Sequence, residues 1–223
     1  MYHAKNIILD FDGTIFRVFA NHKLDNLISR FCDLTSPYDL GFTEQNDSFD
    51  IFKLIERAEL DRKSKKALLH QIGEWLVEEE IAALDSGILI DGFLDFLDFA
   101  FNNEKNIAIA SNNSKECIEK FLERFAPDIY QNSPFSLIGR EEQHPERMKP
   151  STYMLEELCK INDWSVSDTV YIGDHPRDYE CAKAFGCRFI GMAPTPSKKE
   201  RLIKYEPSVV AVNDFFELIR LLA

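Results

Sequence analysis

No apolar run in this sequence approaches the ~20 residues that a membrane-spanning helix needs, which argues against a helical membrane protein. CxxC spacing is absent as well. Cys32, Cys117, Cys159, Cys181 and Cys187 are scattered and odd in number, a poor basis for a structural zinc site or a disulfide framework. Reduced thiols in a cytoplasmic protein are the expectation. Positive charge is in deficit: 26 Lys and Arg against 38 Asp and Glu leave a net charge of −12. Such a surface repels nucleic-acid backbones and anionic membranes, so neither is an expected partner. A phosphate-bearing ligand would need a local positive patch or a bound cation. No internal repeat or low-complexity tract is present. The opening Met1-Tyr2-His3-Ala4-Lys5 leads straight into an apolar strand and leaves no room for a signal peptide.

What is there is the composition of a globular protein, 45% hydrophobic and 29% charged, in 223 residues. That length holds one domain and a sizeable insert. The one dense basic cluster, Arg62-Lys63-Ser64-Lys65-Lys66, reads as a solvated helix start.

The most informative stretch is Asn6-Ile7-Ile8-Leu9-Asp10-Phe11-Asp12-Gly13-Thr14. A strand-like run ends in two carboxylates, a glycine and a hydroxyl. In an extended chain Asp10 and Asp12 share a face. Two acids aimed at one point are costly unless a cation lies between them or one holds a proton. Gly13 lets the backbone turn sharply after the strand.

Between Phe16 and Leu84 the sequence shows no good strand. Leu24, Leu27, Ile28 and Phe31 mark one helical face, and Thr35-Ser36-Pro37 breaks it. Ile51, Phe52, Ile55 and Ala58 mark a second helix. A third carries Leu68, Leu69, Ile72, Trp75 and Leu76 and runs on towards Leu84. After Asp85-Ser86-Gly87 strands and helices alternate: a helix near residues 92–101, a strand at 107–110 ending in Ser111-Asn112-Asn113, and a helix with Ile118, Phe121, Leu122 and Phe125 on one face. A short strand or turn follows in 129–138, then a helix opened by Lys149-Pro150. A strand at 169–172 ends in Gly173-Asp174, and a helix carries Tyr179, Ala182 and Phe185. Short strands at 187–191 and 208–212 and a closing helix from Asp214 to Leu222 complete the chain. The alternation predicts an α/β fold with a mostly parallel sheet flanked by helices. The all-helical insert would lie over the carboxyl ends of the strands, where open α/β sheets bind ligands. Asp10 and Asp12, Ser111 and Asn112, and Asp174 would then meet at one edge of the sheet, within reach of a cation from Lys149.

The ordered set Asp10-Phe11-Asp12-Gly13-Thr14, Ser111, Lys149-Pro150 and Gly173-Asp174-His175-Pro176-Arg177-Asp178 resembles the four motifs of the haloacid dehalogenase superfamily, in its helical-cap (subfamily I) phosphatase group. The resemblance covers about residues 5–15 and 86–223. It implies a Rossmannoid α/β core at 1–15 and 86–223 with an inserted helical cap at 16–85. It also implies a Mg²⁺-dependent phosphatase acting on a small phosphorylated metabolite through an aspartyl-phosphate. Asp10 would be the nucleophile and a metal ligand, and Asp12 the general acid and base, lending its carbonyl to the metal. Asp174 and Asp178 would serve the metal, Asp178 directly, through a water or by orienting Lys149. Ser111 and Lys149 would complete the catalytic set. Phe11, Thr14 and Asn112, with Ser111 and Lys149, would hold the substrate phosphoryl group, Phe11 and Asn112 through nearby backbone amides.

Some features depart from that pattern. Arg17 follows in Ile15-Phe16-Arg17-Val18, and either meets an anionic substrate group or pairs with a cap acid. His22 reads as a packing or surface residue, His175 as peripheral or exposed, and His144 as a loop residue. A phosphomutase sharing the aspartyl-phosphate, or a binding protein that has lost turnover, are the alternatives. A dehalogenase is less favoured, because its chemistry needs neither the paired acid nor Mg²⁺. A monomer or homodimer is expected.

Overall fold

The computed structural model describes residues 4–21, 24–43, 49–132 and 135–223. In chain order its regular elements are β1 (Asn6–Leu9), β2 (Phe16–Arg17), α1 (Leu24–Thr35), α2 (Asp50–Arg57), α3 (Arg62–Ala83), β3 (Ile88–Leu89), α4 (Phe93–Asn102) and β4 (Asn106–Ser114). They continue as α5 (Lys115–Phe125), α6 (Pro127–Asn132), β5 (Ser136–Arg140), α7 (Tyr153–Asn162), β6 (Thr169–Gly173), α8 (Pro176–Phe185), β7 (Arg188–Met192), α9 (Pro196–Tyr205), β8 (Ala211–Val212) and α10 (Phe215–Leu222).

Six strands form one sheet in the order β5-β4-β1-β6-β7-β8. Every neighbouring pair in it is parallel. The sheet is covered on both faces, which is why β1 after Asn6 reads as the uninterrupted apolar run Ile7-Ile8-Leu9. Its side chains alternate between two cores. Ile7 and Leu9 pack with α4, α5 and α10, whereas Ile8 packs with Tyr171, Leu155 and Leu158 on the other face. The chain leaves β1 for β4 and β5 on one side, then crosses to β6 on the other. This reversal opens a crevice at the carboxyl ends of β1, β4 and β6, the usual ligand position in such sheets.

The helical segment has its own core of Leu27, Phe31, Ile51, Phe52, Ile55, Leu68, Ile72 and Leu76, closed by Met148 from the α/β part. At its edges the packing changes sides: Phe16, Val18, Ala83 and Leu84 belong to the main core. Among the described residues no helix is long and apolar enough to cross a membrane.

Several expectations need correction. The stretch from Phe16 to Leu84 does contain a strand, since β2 pairs antiparallel with β3 at the base of the helical segment. Two residues are too few for a periodicity to register. The helix expected to open at Lys149-Pro150 begins at Tyr153 instead. The residue before a proline disfavours the helical region, and the Ser151 amide closes a turn onto the Met148 carbonyl at 3.0 Å. Helix α9 was not expected at all, although Thr195 caps it by accepting from the Lys198 amide and Pro196 opens it. The strand after Ile107–Ala110 runs on through Ser114, with a shift in its register against β5 between Ala110 and Ser114.

The main core is strongly aromatic around α5. The Phe121 ring lies 5.0 Å from those of Phe11 and Phe16, 6.0 Å from Phe93 and 4.9 Å from Phe125. Phe11 and Phe16 flank the turn that carries Asp12 and Gly13, so this cluster supports the site from behind. Phe121→Ala is expected to destabilise the protein by about 3–5 kcal/mol. Urea unfolding checks it, and a loss below about 1 kcal/mol would show that the ring is not a keystone of this core.

Candidate active site

Asp10 sits one residue past β1, with its amide donating to the Ile172 carbonyl at 2.8 Å. The turn after it is built on the Phe11 carbonyl, which accepts from the amides of Thr14, Ile15 and Phe16 at 3.2, 2.9 and 3.1 Å. Gly13 has φ +89°. A Cβ there would lie 2.6 Å from the Asp174 Oδ2 and would collide with the Lys198 ammonium. Glycine is therefore required both by conformation and by the close approach of charged groups.

The buried Asp10 carboxylate is surrounded by three of the groups anticipated from sequence. Lys149 Nζ lies 2.6 Å from its Oδ1. The Ser111 hydroxyl donates to the same oxygen at 3.0 Å. The Thr14 hydroxyl approaches Oδ2 at 3.4 Å. Lys149 also pairs with Asp178 Oδ1 at 2.7 Å and donates to the Tyr171 hydroxyl at 2.9 Å. Asp178 is itself fixed by α8, since its Oδ2 accepts from the His175 amide at 3.0 Å in a capping box. Gly173 makes room for it, because a Cβ there would stand 2.5 Å from that of Asp178.

Asp12 points elsewhere. Its Oδ1 accepts from the Val18 amide at 2.8 Å, just beyond β2. Phe11 itself contributes its ring to the core. Asn112 acts through its side chain as well as its position: Oδ1 accepts from the Lys149 amide at 2.9 Å, and Nδ2 donates to the Lys149 carbonyl at 3.4 Å. Both backbone polar groups of Lys149 are thereby held, which fixes where the lysine side chain starts.

The electrostatics separate the two acids. Burial raises Asp10 to about 6, opposed by Lys149 and reinforced by Asp178 and Asp174. Burial and then the Asp174 charge raise Asp12 to about 7, against the Val18 amide. Burial works against charge on Asp178 too, but Lys149 holds it below the ordinary carboxylate range. Burial also works against the Lys149 ammonium, and Asp10 and Asp178 more than compensate, keeping it charged. Asp174 is raised by burial, with Lys198 pulling the other way.

These groups line a cavity of about 340 Å³ that includes Asp10, Asp12, Ser111, Asn112, Lys149 and Asp174, with Phe19 and Phe49 from the helical side. A larger cavity of about 740 Å³ lies at the opposite ends of the strands, around Lys5, Phe101 and Trp164, and contains none of them. Arg17 is on β2 opposite Ile88 and is not among the residues lining the site. His175 does line it, with Nδ1 accepting from the Arg177 amide at 3.2 Å. His144 is exposed and pairs with Glu146 at 3.0 Å. His22 lies outside the described residues.

Sequence reasoning missed Tyr171, Arg177, Lys198 and Arg201. Lys198 pairs with Asp174 Oδ2, and Arg201 reaches the same oxygen at 3.3 Å. The α9 start signal at Thr195-Pro196 would have placed both basic residues on one helix.

Residues 7–192 match the family model described as haloacid dehalogenase-like hydrolase. The chain is a haloacid dehalogenase-like hydrolase. Similar solved structures include a predicted phosphoglycolate phosphatase from Haemophilus somnus, at 17% identity and TM-score 0.65 over 100% of both chains. A HAD-superfamily hydrolase from Ehrlichia chaffeensis shares 17% identity at TM-score 0.60, over 100% of this chain and 97% of that one. A subfamily IA HAD-superfamily hydrolase from Geobacter sulfurreducens shares 17% identity at TM-score 0.56, over 99% and 97%. At these identities the likeness is one of fold. No curated protein sequence matches the chain.

For this hydrolase a divalent ion is a chemical fit. Carboxylate oxygens of Asp10, Asp174 and Asp178 all lie within 4.8 Å of one another, and hard oxygen donors of that kind suit Mg²⁺. The raised Asp10 and Asp174 show how poorly their charges are compensated by the protein alone. Lys198 sits on the carboxylate that such an ion would share, so ammonium and ion would compete for Asp174. Lys198→Met is expected to tighten Mn²⁺ binding by roughly tenfold, or about 1.4 kcal/mol, read by electron paramagnetic resonance of the free ion. Unchanged or weaker binding would refute the competition.

Proposed function

We propose that this hydrolase is a Mg²⁺-dependent phosphatase acting on a small phosphorylated metabolite, with residues 16–85 as the cap that selects it. The observation that carries this reading is Asp10. It is a buried carboxylate at the switch point of a parallel sheet, held at one oxygen by both Lys149 and Ser111. A carboxylate is a weak nucleophile, so it needs aiming and cancellation of the charge it attacks.

Asp10 forms a bond to phosphorus while the bond from phosphorus to the ester oxygen breaks. Asp12, whose pKa burial and the Asp174 charge raise towards neutrality so that a protonated fraction persists there, gives its proton to that leaving oxygen. The Asp12 carboxylate then takes a proton from water as the water oxygen attacks the aspartyl-phosphate. Asp10 is regenerated and inorganic phosphate departs. Lys149 and Ser111 steady charge on the phosphoryl oxygens, which spread their charge in a loose transition state. Asp10, Asp174, Asp178 and the Asp12 carbonyl are the groups that would hold Mg²⁺, which when bound supplies charge cancellation between nucleophile and phosphate. The different surroundings of Asp10 and Asp12 are what allow two neighbouring acids to take opposite roles.

The pH profile follows. Asp12 acts as an acid, so kcat/KM falls as pH rises through its pKa, which is about 7 with no cation on Asp174 and lower with one. Asp10 must be ionised, so activity also falls as pH drops; a cation beside it lowers its pKa, which places the acidic limb at or below about 6. A rate still rising between pH 7.5 and 9 would contradict the assignment of Asp12.

A panel of metabolite phosphate esters with Mg²⁺, run beside Asp10→Asn, tests the function itself. Turnover by the native protein and a loss of at least about 10³-fold in the variant are expected. Robust turnover by Asp10→Asn, or none by the native protein on any ester, would overturn the reading.

A further inference from the structure

Glu80, near the end of α3, and Arg140, the last residue of β5, form an ion pair in which both side chains are completely buried. It is two-pronged, Nη1 to Oε1 at 2.6 Å and Nη2 to Oε2 at 3.5 Å. Burying two charges is seldom the best route to stability, because a well-packed apolar pair serves as well. The remaining hydrogen bonds of the pair suggest what else it does. Glu80 Oε2 accepts from the Ser114 amide at 2.9 Å, and Oε1 accepts from Asn113 Nδ2 at 3.2 Å. Arg140 Nη1 donates to the Asn112 carbonyl at 3.0 Å. Every one of these partners lies in the three residues that follow Ser111.

The same three residues lie where β4 loses register with β5. Ala110 pairs with Ile138 and Ser114 with Arg140, so four steps on one strand face two on the other. Backbone groups in that bulge fall out of the ladder and need other partners. The ion pair supplies two of them, a donor for the Asn112 carbonyl and an acceptor for the Ser114 amide. From there the connection to the chemistry is short. The Ser111 hydroxyl accepts from the Asn113 amide at 3.3 Å, and Asn112 holds both the backbone N–H and the carbonyl of Lys149. Ser111 and Lys149 are the two groups on Asp10 Oδ1.

The pair also reaches the cap. The Arg140 guanidinium lies over the rings of Phe52 at 5.2 Å and Phe49 at 5.9 Å. Phe52 is in the core of the helical segment and Phe49 lines the cavity.

We propose that Glu80 and Arg140 are positioning residues: together they shape the 111–114 bulge as a phosphoryl cradle and set Ser111 and Lys149 against Asp10. The assignment rests on the phosphatase reading for its kinetic consequence, but not for its structural one. The pair touches no reacting atom, and its effect is carried through Asn112, Asn113 and Ser114.

Two variants test it. Glu80→Gln removes one charge and weakens the grip on the bulge. The double variant Glu80→Gln/Arg140→Met leaves no unpaired buried charge, so it preserves folding while removing the donor to Asn112. Hydrogen exchange read by mass spectrometry is expected to speed up in peptides covering 111–115 and 147–151, with β1 and β6 unchanged. On the best ester, kcat is expected to fall 10- to 100-fold, in line with about 1 Å of misplacement. Orthovanadate inhibition should weaken in parallel, and Mn²⁺ affinity should stay within about twofold. A merely structural pair would lower the melting temperature and leave exchange in those peptides, kcat and vanadate affinity of the folded variants as in the native protein; that result would overturn the proposal. If the native protein turns over no ester, the phosphatase reading fails, and the exchange measurement still decides the positioning role.

Discussion

Everything at the site depends on how one ammonium is shared. Lys149 stands between Asp10 and Asp178, fully enclosed, with Tyr171 as its third partner. Burying an ammonium and two carboxylates is tolerable only when the pairing is close and the leftover hydrogen-bonding capacity is met. Each partner therefore has its own support. Asp178 is capped onto α8, and Tyr171 is anchored in β6, within reach of the Ala110 carbonyl. Lys149 is held at its backbone by Asn112. Take away Asp10 or Asp178 and the ammonium loses half its compensation in a low dielectric; take away Tyr171 or Asn112 and buried polar groups lose a hydrogen bond. The sheet order is what brings the three contributors together, since β1, β4 and β6 are neighbours although far apart in sequence.

Much of this was legible because it is written locally. A strand ending in Asp10-Phe11-Asp12-Gly13-Thr14 shows its periodicity, its turn and its acids within nine residues, and β6 with Gly173-Asp174 does so as plainly. The parallel sheet is legible in the alternation of elements, and the family in the resemblance carried by four ordered motifs. The order of the motifs located Lys149 even though the helix after it starts later than expected. What stayed hidden depended on distant partners. The two-residue ribbon of β2 and β3 has no pattern of its own. The β4 bulge is satisfied by side chains from α3 and β5, which no local rule connects. Glu80 stands in the run Glu78-Glu79-Glu80, which reads as a solvated face. Yet it lies four residues beyond Leu76 and eight beyond Ile72, on the stripe that buries itself. A charged residue on an apolar stripe was the available signal.

The same lesson holds for positive charge. At a net −12, a protein acting on phosphate esters, as proposed above, would have to gather its cations deliberately. The dense run Arg62–Lys66 does not supply them, being the exposed first turn of α3, capped by Asp61. The site instead collects single residues from unconnected places: Lys149 from a turn, Arg177 from α8, and Lys198 and Arg201 from α9. Dispersed in sequence, these are unremarkable surface-type residues. Folded, they face one crevice while the acidic excess stays elsewhere on the surface. The division has a physical benefit. A clustered basic tract would attract any polyanion, whereas single cations spaced around a half-open crevice suit a small anion that several of them can reach at once. Lys149, Lys198 and Arg201 are paired with acids of the site, whereas Arg177 reaches Asp50 on α2, so at the first three anion binding and cation binding would draw on the same charges. Lys198 and Arg201 on Asp174 mark where those two demands meet.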